Sequence, residues 1–193
     1  MTVSTIVAVL KHDLACIAAD SLTSFGDTVQ SAEFVIDSEK IIQFSEDNYI
    51  GIVGSAAHHL VMQNLLSEHP DKVDFSSRFN IFDSMKKLHP VLKEEYFLNS
   101  KDEEADSYES SRVDALIMNA NGIFGLYSLR EVDQYTRFWA IGSGAEFALG
   151  AMQVSYNLLD DAEAIARSGI EAGACFDSST ALPMSSYSLK VIA

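Results

Sequence analysis

Residues 1–20 read MTVSTIVAVLKHDLACIAAD, and this stretch decides the fold. Residues 3–9 are β-favouring or small, residues 10–13 are polar enough to turn, and residues 14–19 are apolar again before Asp20. This pattern predicts a β-hairpin. Its second strand is apolar on both faces, so we expect it at the centre of a sheet that is covered on both sides.

Three hydroxyl residues, Thr2, Ser4 and Thr5, lie at the start of the first predicted strand. A chain terminus normally frays. One that is held in a buried sheet can do chemistry, because a free α-amine beside a hydroxyl can act as its base. The alternative is that these residues belong to an ordinary first strand of an α/β domain.

The chain of 193 residues is long enough for a full core, and we predict a single domain over residues 1–193. Its hydrophobic content of 48% predicts that it folds. The net charge of −15 argues against nucleic acid or an anionic membrane surface as a partner, since both require basic patches. Much of the negative charge falls in residues 102–109, which we expect to form an exposed loop.

No apolar run approaches the length of a membrane span, and the N-terminus lacks the basic flank and long apolar core of an export signal. Cys16 and Cys175 lie in apolar contexts, so we expect buried thiols rather than a disulfide or a metal-binding pair. These features are typical of a protein of the reducing cytoplasm. We predict no cofactor and no metal.

The rest of the chain alternates between groups of strands and pairs of helices. Apolar runs bounded by turn residues predict further strands at residues 33–36, 40–44, 49–53, 113–118, 123–127, 138–141 and 187–192. Helical spacing of apolar residues predicts helices that begin near residues 54, 80, 142 and 160 and end near residues 69, 97, 158 and 174. Such segregated groups predict an α+β domain with helix pairs outside two stacked sheets.

Three segments carry a resemblance to a known family. The segment STIVAV at residues 4–9, IAAD at residues 17–20 and TSFGD at residues 23–27 resemble the start of the proteasome β-subunit and HslV-like peptidase family. If Ser4 takes the place of that family's N-terminal Thr, Asp20 follows sixteen residues later, which is the family's spacing. The resemblance implies the N-terminal nucleophile hydrolase fold, a four-layer αββα sandwich.

The resemblance also implies catalytic roles. Ser4 would be the nucleophile, and its α-amine, with an ordinary pKa of roughly 7.7–8.0, would be the general base. Lys40 resembles the family's strand lysine beside the nucleophile, and its ammonium would lower the pKa of that amine. Asp20 would pair with Lys40, because a buried ammonium without a carboxylate is costly. The alternatives are a surface lysine in a hairpin and an aspartate that caps a loop.

Four further residues match the family's site. Gly54 resembles the glycine whose backbone N–H faces the developing oxyanion, although a plain glycine between strand and helix is the alternative. Ser143 matches the family's second serine near the nucleophile, and could instead cap a helix. Asp177 and Thr180 lie in the last predicted helix where the family has an Asp and, three residues on, a Ser. The alternative for this pair is a polar helix end.

The N-terminus departs from the family at two positions. Ser4 replaces the expected Thr, so it lacks the methyl group that fixes the rotamer. Val3 precedes it where processed members commonly have Gly, which argues against self-cleavage after residue 3. The sequence as given keeps Met1, Thr2 and Val3, and this favours an unprocessed leader. Thr2 is the alternative nucleophile, although its hydroxyl would lie two residues out of register with Asp20.

The residues and the resemblance together predict a cytoplasmic amide hydrolase of the proteasome type, an endopeptidase that acts on peptides or unfolded proteins. The resemblance implies a homo-oligomeric assembly of stacked rings, each a hexamer or heptamer, in which helices near residues 57–66 and 82–97 form subunit contacts. Any ATPase unfoldase would be a separate chain, since nothing here resembles a nucleotide-binding loop. The alternatives are a non-catalytic ring component and a small-molecule amidase of the same superfamily.

Overall fold

The computed structural model describes residues 4–25, 28–100 and 107–192. The strands in these ranges are β1 (Thr5–Lys11), β2 (Leu14–Asp20), β3 (Thr23–Phe25), β4 (Thr28–Gln30), β5 (Ile41–Ser45), β6 (Asn48–Val53), β7 (Asp114–Asn119), β8 (Gly122–Leu126), β9 (Val132–Tyr135), β10 (Phe138–Gly142) and β11 (Met184–Lys190). The α-helices there are α1 (Ala56–Glu68), α2 (Arg78–Glu94), α3 (Ala145–Leu158) and α4 (Ala162–Phe176). Short 3-10 turns lie at Ala32–Phe34 and Pro70–Lys72.

The predicted hairpin of β1 and β2 forms the centre of the first sheet, whose strand order is β10-β1-β2-β11. All neighbouring strands of this sheet are antiparallel, and β1 places Thr5 opposite Gly142 of β10. Successive residues of β1 point to opposite faces. Ile6 packs between the two sheets, and Val7 packs in the layer below α3 and α4. The hairpin is therefore buried on both faces, as its apolar sequence predicts.

The second sheet has the order β5-β6-β7-β8-β9 and is also antiparallel. Helices α1 and α2 cover its outer face through a core that includes Met62 and Met85. Helices α3 and α4 cover the outer face of the first sheet through Met152 and Ile170. The inner faces of the two sheets meet in a third apolar layer. This confirms the predicted α+β class and the four-layer αββα sandwich.

Gly51 of β6 sets how closely the two sheets approach. A Cβ atom at this position would lie 2.8 Å from Ile6 Cγ2 and 3.5 Å from Ile17 Cδ1, which are side chains of the central hairpin. Carbon atoms normally stay about 3.5 Å or more apart, so the site has no room for a methyl group. The close contact of the sheets therefore depends on the absence of a side chain at Gly51.

One predicted strand was wrong, and three observed strands were not predicted. The predicted strand at residues 33–36 is the 3-10 turn Ala32–Phe34, and Ile36 is completely exposed, because no neighbouring strand pairs with this segment in the described residues. The small hairpin of β3 and β4 was not predicted, and neither was β9, whose sequence VDQY is half polar. Strand β9 forms by pairing with β8 at the edge of the second sheet.

Two local predictions also need correction. The capping residue of α4 is Asp161, whose carboxylate accepts from the backbone N–H groups of Glu163 and Ala164, and not the predicted Asp160. Cys16 is buried as predicted, but Cys175 is exposed near the end of α4. Across residues 4–25, 28–100 and 107–192, no helix has the length and apolar character needed to span a membrane.

We predict that Gly51→Ala lowers the free energy of unfolding by about 1–3 kcal/mol, because the added methyl group overpacks the layer between the sheets. Gly150→Ala is the matched control, since a Cβ there meets no atom within 4 Å. In the middle of α3 this control should raise the stability by about 0.5–1 kcal/mol. Urea unfolding followed by circular dichroism measures both, and equal stability of the two variants would contradict the prediction.

Candidate active site

Asp20 lies at the end of β2 with its side chain fully buried, and its carboxylate accepts four hydrogen bonds. The donors to Oδ1 are Thr5 N and Lys40 Nζ, both at 2.8 Å. The donors to Oδ2 are Leu22 N at 3.1 Å and Ala181 N at 3.3 Å. A buried carboxylate requires this kind of compensation, since an unpaired charge in the interior is strongly unfavourable. Asp20 is therefore much more than the cap of a loop.

Lys40 lies immediately before β5, and 13% of its side chain is exposed. Burial lowers the pKa of Lys40 from its ordinary value, while the charges of Asp20 and Asp177 act in the opposite direction. Oδ1 of Asp20 binds both Lys40 Nζ and Thr5 N, so the ammonium lies beside the first peptide of β1. Lys40 is thus not the surface residue of a hairpin that its sequence context also allowed.

Ser4 is 5% exposed and adopts φ +121°, a conformation that residues other than glycine rarely take. Its carbonyl oxygen accepts from Gly144 N at 3.5 Å and lies 3.3 Å from Ser143 Oγ. Gly142 has φ +98°, and a Cβ atom there would lie 2.8 Å from the carbonyl carbon of Ser4. The backbone at Ser4 is therefore held tightly against the end of β10.

A chain of hydroxyl groups leads from β1 to Ser4. Ser143 Oγ and Thr180 Oγ1 both donate to Asp177 Oδ2, at 2.7 Å and 2.6 Å. Each hydroxyl has one proton to give. Thr180 gives its proton to Asp177, so Thr5 Oγ1, at 2.7 Å from Thr180 Oγ1, must be the donor to it. Ser143 likewise gives its proton to Asp177 and accepts from Ser4 N at 3.2 Å. Asp177 thus orients an acceptor oxygen towards the nitrogen of Ser4.

One predicted placement relative to the helices was wrong, and the alternative role of Ser143 as a helix cap is not observed. Asp177 and Thr180 follow the C-terminal end of α4 instead of lying within it. Ser143 does not cap α3, whose N-terminal cap is Gly144 without a side-chain hydrogen bond. The hydroxyl of Ser143 instead donates to Asp177 and accepts from the nitrogen of Ser4.

Gly54 lies between β6 and α1 with φ +120°, and a Cβ atom there would meet no atom within 4 Å. The preceding residue connects it to the site, because a Cβ atom on Gly142 would lie 3.3 Å from Val53 Cγ1. Its predicted role in binding an oxyanion is taken up below as a proposal. Met1, Thr2 and Val3 lie outside the described residues, and so does the alternative nucleophile among them, Thr2.

Thr5 is a site residue that the sequence reasoning did not assign. It is completely buried, and a Cβ atom added to Gly173 would lie 2.8 Å from its Oγ1. A Cβ atom added to Gly144 would also collide with Thr5 Oγ1. The available signal was a hydroxyl residue inside an otherwise apolar buried strand, since a buried hydroxyl needs a partner.

An open cavity of about 480 Å³ begins beside this site. Val53 and Gly142 line the end nearest to Ser4, and Tyr135 and Trp139 line a wall farther along β9 and β10. In the described residues, no group of three or more His, Cys, Asp or Glu side chains is arranged to hold a metal ion. The chemistry available here is that of hydroxyls, a carboxylate–ammonium pair and backbone N–H groups.

The solved structures that resemble this chain include those of two proteins. The first is BPH from Thiobacillus denitrificans, a bacterial proteasome homologue, which is 38% identical with a TM-score of 0.86 in its complex with epoxomicin. That alignment covers 98% of this chain and 100% of BPH, and a second BPH structure gives a TM-score of 0.85.

The second relative is the eukaryotic HslV from Trypanosoma brucei, with 20% identity, a TM-score of 0.68 and coverage of 96% of this chain and 99% of HslV. This second likeness shows the shared fold. No protein-family model and no curated protein sequence matched the chain.

We predict that Asp20→Asn lowers the free energy of unfolding by about 3–5 kcal/mol at pH 7, since it leaves the Lys40 ammonium without its partner. The variant should also lower the pKa of Lys40 further from its ordinary value of 10.5. A base whose pKa is lowered by folding binds fewer protons in the folded state, so stability rises with pH in that window. The difference from the wild type should therefore shrink between about pH 7 and about pH 9.5.

Urea unfolding at the two pH values measures this effect. Asp83→Asn is the control, because Asp83 pairs with Lys86 and Lys87 on the surface of α2. Asp83→Asn should cause a small loss of unfolding free energy that does not change over the same pH range. If the loss of unfolding free energy in Asp20→Asn stays constant with pH, Lys40 does not depend on Asp20 for its charge.

Proposed function

Because this chain belongs to the proteasome β-subunit and HslV-like family of N-terminal nucleophile hydrolases, we propose that it is a peptidase with Ser4 Oγ as its nucleophile. One observation carries the proposal. The Lys40–Asp20 ion pair and the Asp177–Ser143 hydrogen bond reach the same short stretch of backbone, at Thr5 N and Ser4 N.

In the proposed reaction, hydrolysis of the bond between residues 3 and 4 first makes the nitrogen of Ser4 a free amine. This amine takes the proton of Ser4 Oγ as the oxygen attacks the carbonyl carbon of a substrate amide. The amide C–N bond then breaks, and the leaving amine carries the proton away. Water, activated by the same amine, hydrolyses the resulting ester and restores Ser4. The ammonium of Lys40 keeps the amine unprotonated by lowering its pKa.

Two features of the site suit this reaction, one at the substrate carbonyl and one at the amine. Gly54 follows β6 with open space where a side chain would be, so a substrate carbonyl could approach its N–H group. Ser143, oriented by Asp177, accepts from the nitrogen of Ser4. A hydrogen bond to this acceptor fixes the direction of the amine that must act as the base.

The free energy that the fold loses in forming this site favours a catalytic subunit over a non-catalytic ring component. Ser4 holds a backbone conformation of positive φ, and Lys40 is held as a charge with 13% exposure. Each feature destabilises the fold, the first by about 1–3 kcal/mol, and a purely structural subunit would gain nothing from either. A small-molecule amidase uses the same chemistry, so the choice of substrate in the assay distinguishes it from a peptidase.

The proposal includes a homo-oligomeric ring of six or seven subunits, single or stacked, that acts in the cytoplasm on peptides or unfolded protein. Its support is the exposure of apolar side chains on the outer helices, with Leu60 of α1 at 66% and Phe79 of α2 at 73%. Apolar surface of this kind on a helix face favours contact with another protein. A separate ATPase would supply unfolding.

We expect Ser4→Ala to reduce hydrolysis of a fluorogenic peptide by about a thousandfold or more, because the nucleophile is lost. Lys40→Ala should reduce it by about a hundredfold or more, because the amine loses the charge that tunes it. Lys86→Ala is the control, since this lysine lies 61% exposed on α2, and it should retain activity. Epoxomicin, which the Thiobacillus denitrificans protein binds, should inhibit the wild type.

Intact-mass spectrometry of the same samples separates the alternatives. A mass that begins at Ser4, with activity, supports the proposal. Full activity in Ser4→Ala would overturn it and would turn attention to Thr2. An unprocessed chain without activity would support the non-catalytic component, and hydrolysis of small amides but not peptides would support the amidase.

For the ring, light scattering should give a mass that is a multiple of 21.1 kDa corresponding to six or seven subunits, or twice that number. Phe79→Lys should release smaller species, because it places a charge in the expected subunit contact. Phe34→Lys is the matched control, since Phe34 is 75% exposed and belongs to a 3-10 turn, not to α1 or α2. A monomer at micromolar concentration in the wild type would contradict the ring.

A further inference from the structure

Lys40 lies in a part of the chain that secondary structure holds only weakly. Residues 38–40 are irregular and connect an exposed 3-10 turn to β5. Among the described residues, one backbone hydrogen bond ties Lys40 to the second sheet, from Ile52 N to the carbonyl oxygen of Lys40 at 3.4 Å. Something else must therefore fix the direction in which its long side chain leaves the backbone.

The neighbouring carboxylate of Glu39 provides that constraint. Oε1 of Glu39 accepts from the backbone N–H of Ile41 at 3.1 Å, so the side chain closes a small ring around Lys40. The same oxygen accepts from Ser185 Oγ at 2.5 Å, and Oε2 accepts from Tyr187 Oη at 3.3 Å. Hydrogen bonds to an ionised carboxylate are stronger than those between neutral groups.

The hydroxyls that hold Glu39 belong to the strand beside Asp20. Ser185 and Tyr187 are on β11, which pairs with β2 so that Ser185 lies opposite Ala19 and Met184 lies opposite Asp20. The ring of Tyr187 stacks on Tyr49 of β6, with centroids 4.9 Å apart, so this anchor contacts both sheets. The strands β2 and β11 therefore hold both ends of Lys40. Asp20 of β2 binds Nζ, and Ser185 and Tyr187 of β11 hold the backbone through Glu39.

We propose that Glu39, held by Ser185 and Tyr187, is a positioning residue that places the Lys40 ammonium on Asp20 and beside Ser4. Glu39 does not touch the reacting atoms. Its effect on hydrolysis rests on the proposed function, whereas its effect on Lys40 does not. Misplacement of a catalytic group by about 1 Å can cost about a hundredfold in rate, so loss of this clamp should be measurable.

Competitive acetylation of the full chain tests the placement of Lys40 without requiring activity. Lysines are labelled at several pH values with acetic anhydride, and the peptide that contains Lys40 is quantified by mass spectrometry. Glu39→Gln should raise the rate at Lys40 severalfold and shift its pH profile, because the ammonium leaves its buried bond to Asp20. Glu46→Gln, an exposed glutamate in the turn between β5 and β6, should change neither.

Kinetics on a peptide substrate add a second readout. Glu39→Gln should lower kcat by about tenfold to a hundredfold with little change in KM, because substrate binding is not altered. Tyr187→Phe keeps the stacked ring and should have a smaller effect in the same direction, as should Ser185→Ala. Glu39→Gln should have the largest effect of the three variants. This order distinguishes a clamp on Lys40 from a general loss of stability.

Unchanged labelling of Lys40 in Glu39→Gln would overturn the proposal. An equal rise at every lysine would also overturn it, because it would mean that Glu39 stabilises the whole domain and not the placement of Lys40. If the wild type hydrolyses no peptide but Lys40 responds as expected, the proposed function fails and the positioning role stands.

Discussion

The buried carboxylate of Asp20 is the interaction on which the site depends. Its four donors come from separate segments: the first residue of β1, the turn after β2, the residue before β5 and the loop before β11. Burial of a carboxylate without such donors is strongly unfavourable. The four segments must therefore be in place together, so the site exists only in the completely folded domain.

The pair of helices α3 and α4 controls the other half of the site. Ser143 lies just before α3 and Asp177 just after α4, and the two residues are 34 positions apart in the chain. They meet because the helices form an antiparallel pair, which brings the start of one beside the end of the other. Gly169 lets this pair approach closely, since a Cβ atom there would lie 3.0 Å from Met152 Cγ.

The site combines strain with tight packing. Ser4 has positive φ, and the glycines at positions 142, 144 and 173 leave space for the backbone of Ser4 and the side chain of Thr5. Strain of this kind persists when the surrounding structure over-determines the geometry. Here, the hydroxyl chain of Thr5, Thr180 and Ser143 fixes the geometry on one side, and the Asp20 carboxylate fixes it on the other. Both hold the backbone at Ser4 and Thr5 and leave the hydroxyl of Ser4 outside these networks among the described residues.

The sequence by itself determined the layered fold and much of the site. The doubly apolar hairpin had to lie at the centre of a covered sheet, and the spacing from Ser4 to Asp20 placed both at the same end of it. It did not determine β9, because VDQY becomes a strand only when β8 offers hydrogen-bond partners. It also misjudged residues 33–36, where apolar residues have no sheet to join and remain exposed.

Tertiary structure alone decided how the distant groups meet. Thr5 meets Thr180 across 175 positions, and Glu39 meets Ser185 across 146. Local patterns carry information about neighbours at intervals of two to four residues, since these are the repeats of strands and helices. Hydrogen bonds between such remote side chains depend instead on the register of β11 against β2 and on the packing of α4, which exist only after the layers have assembled.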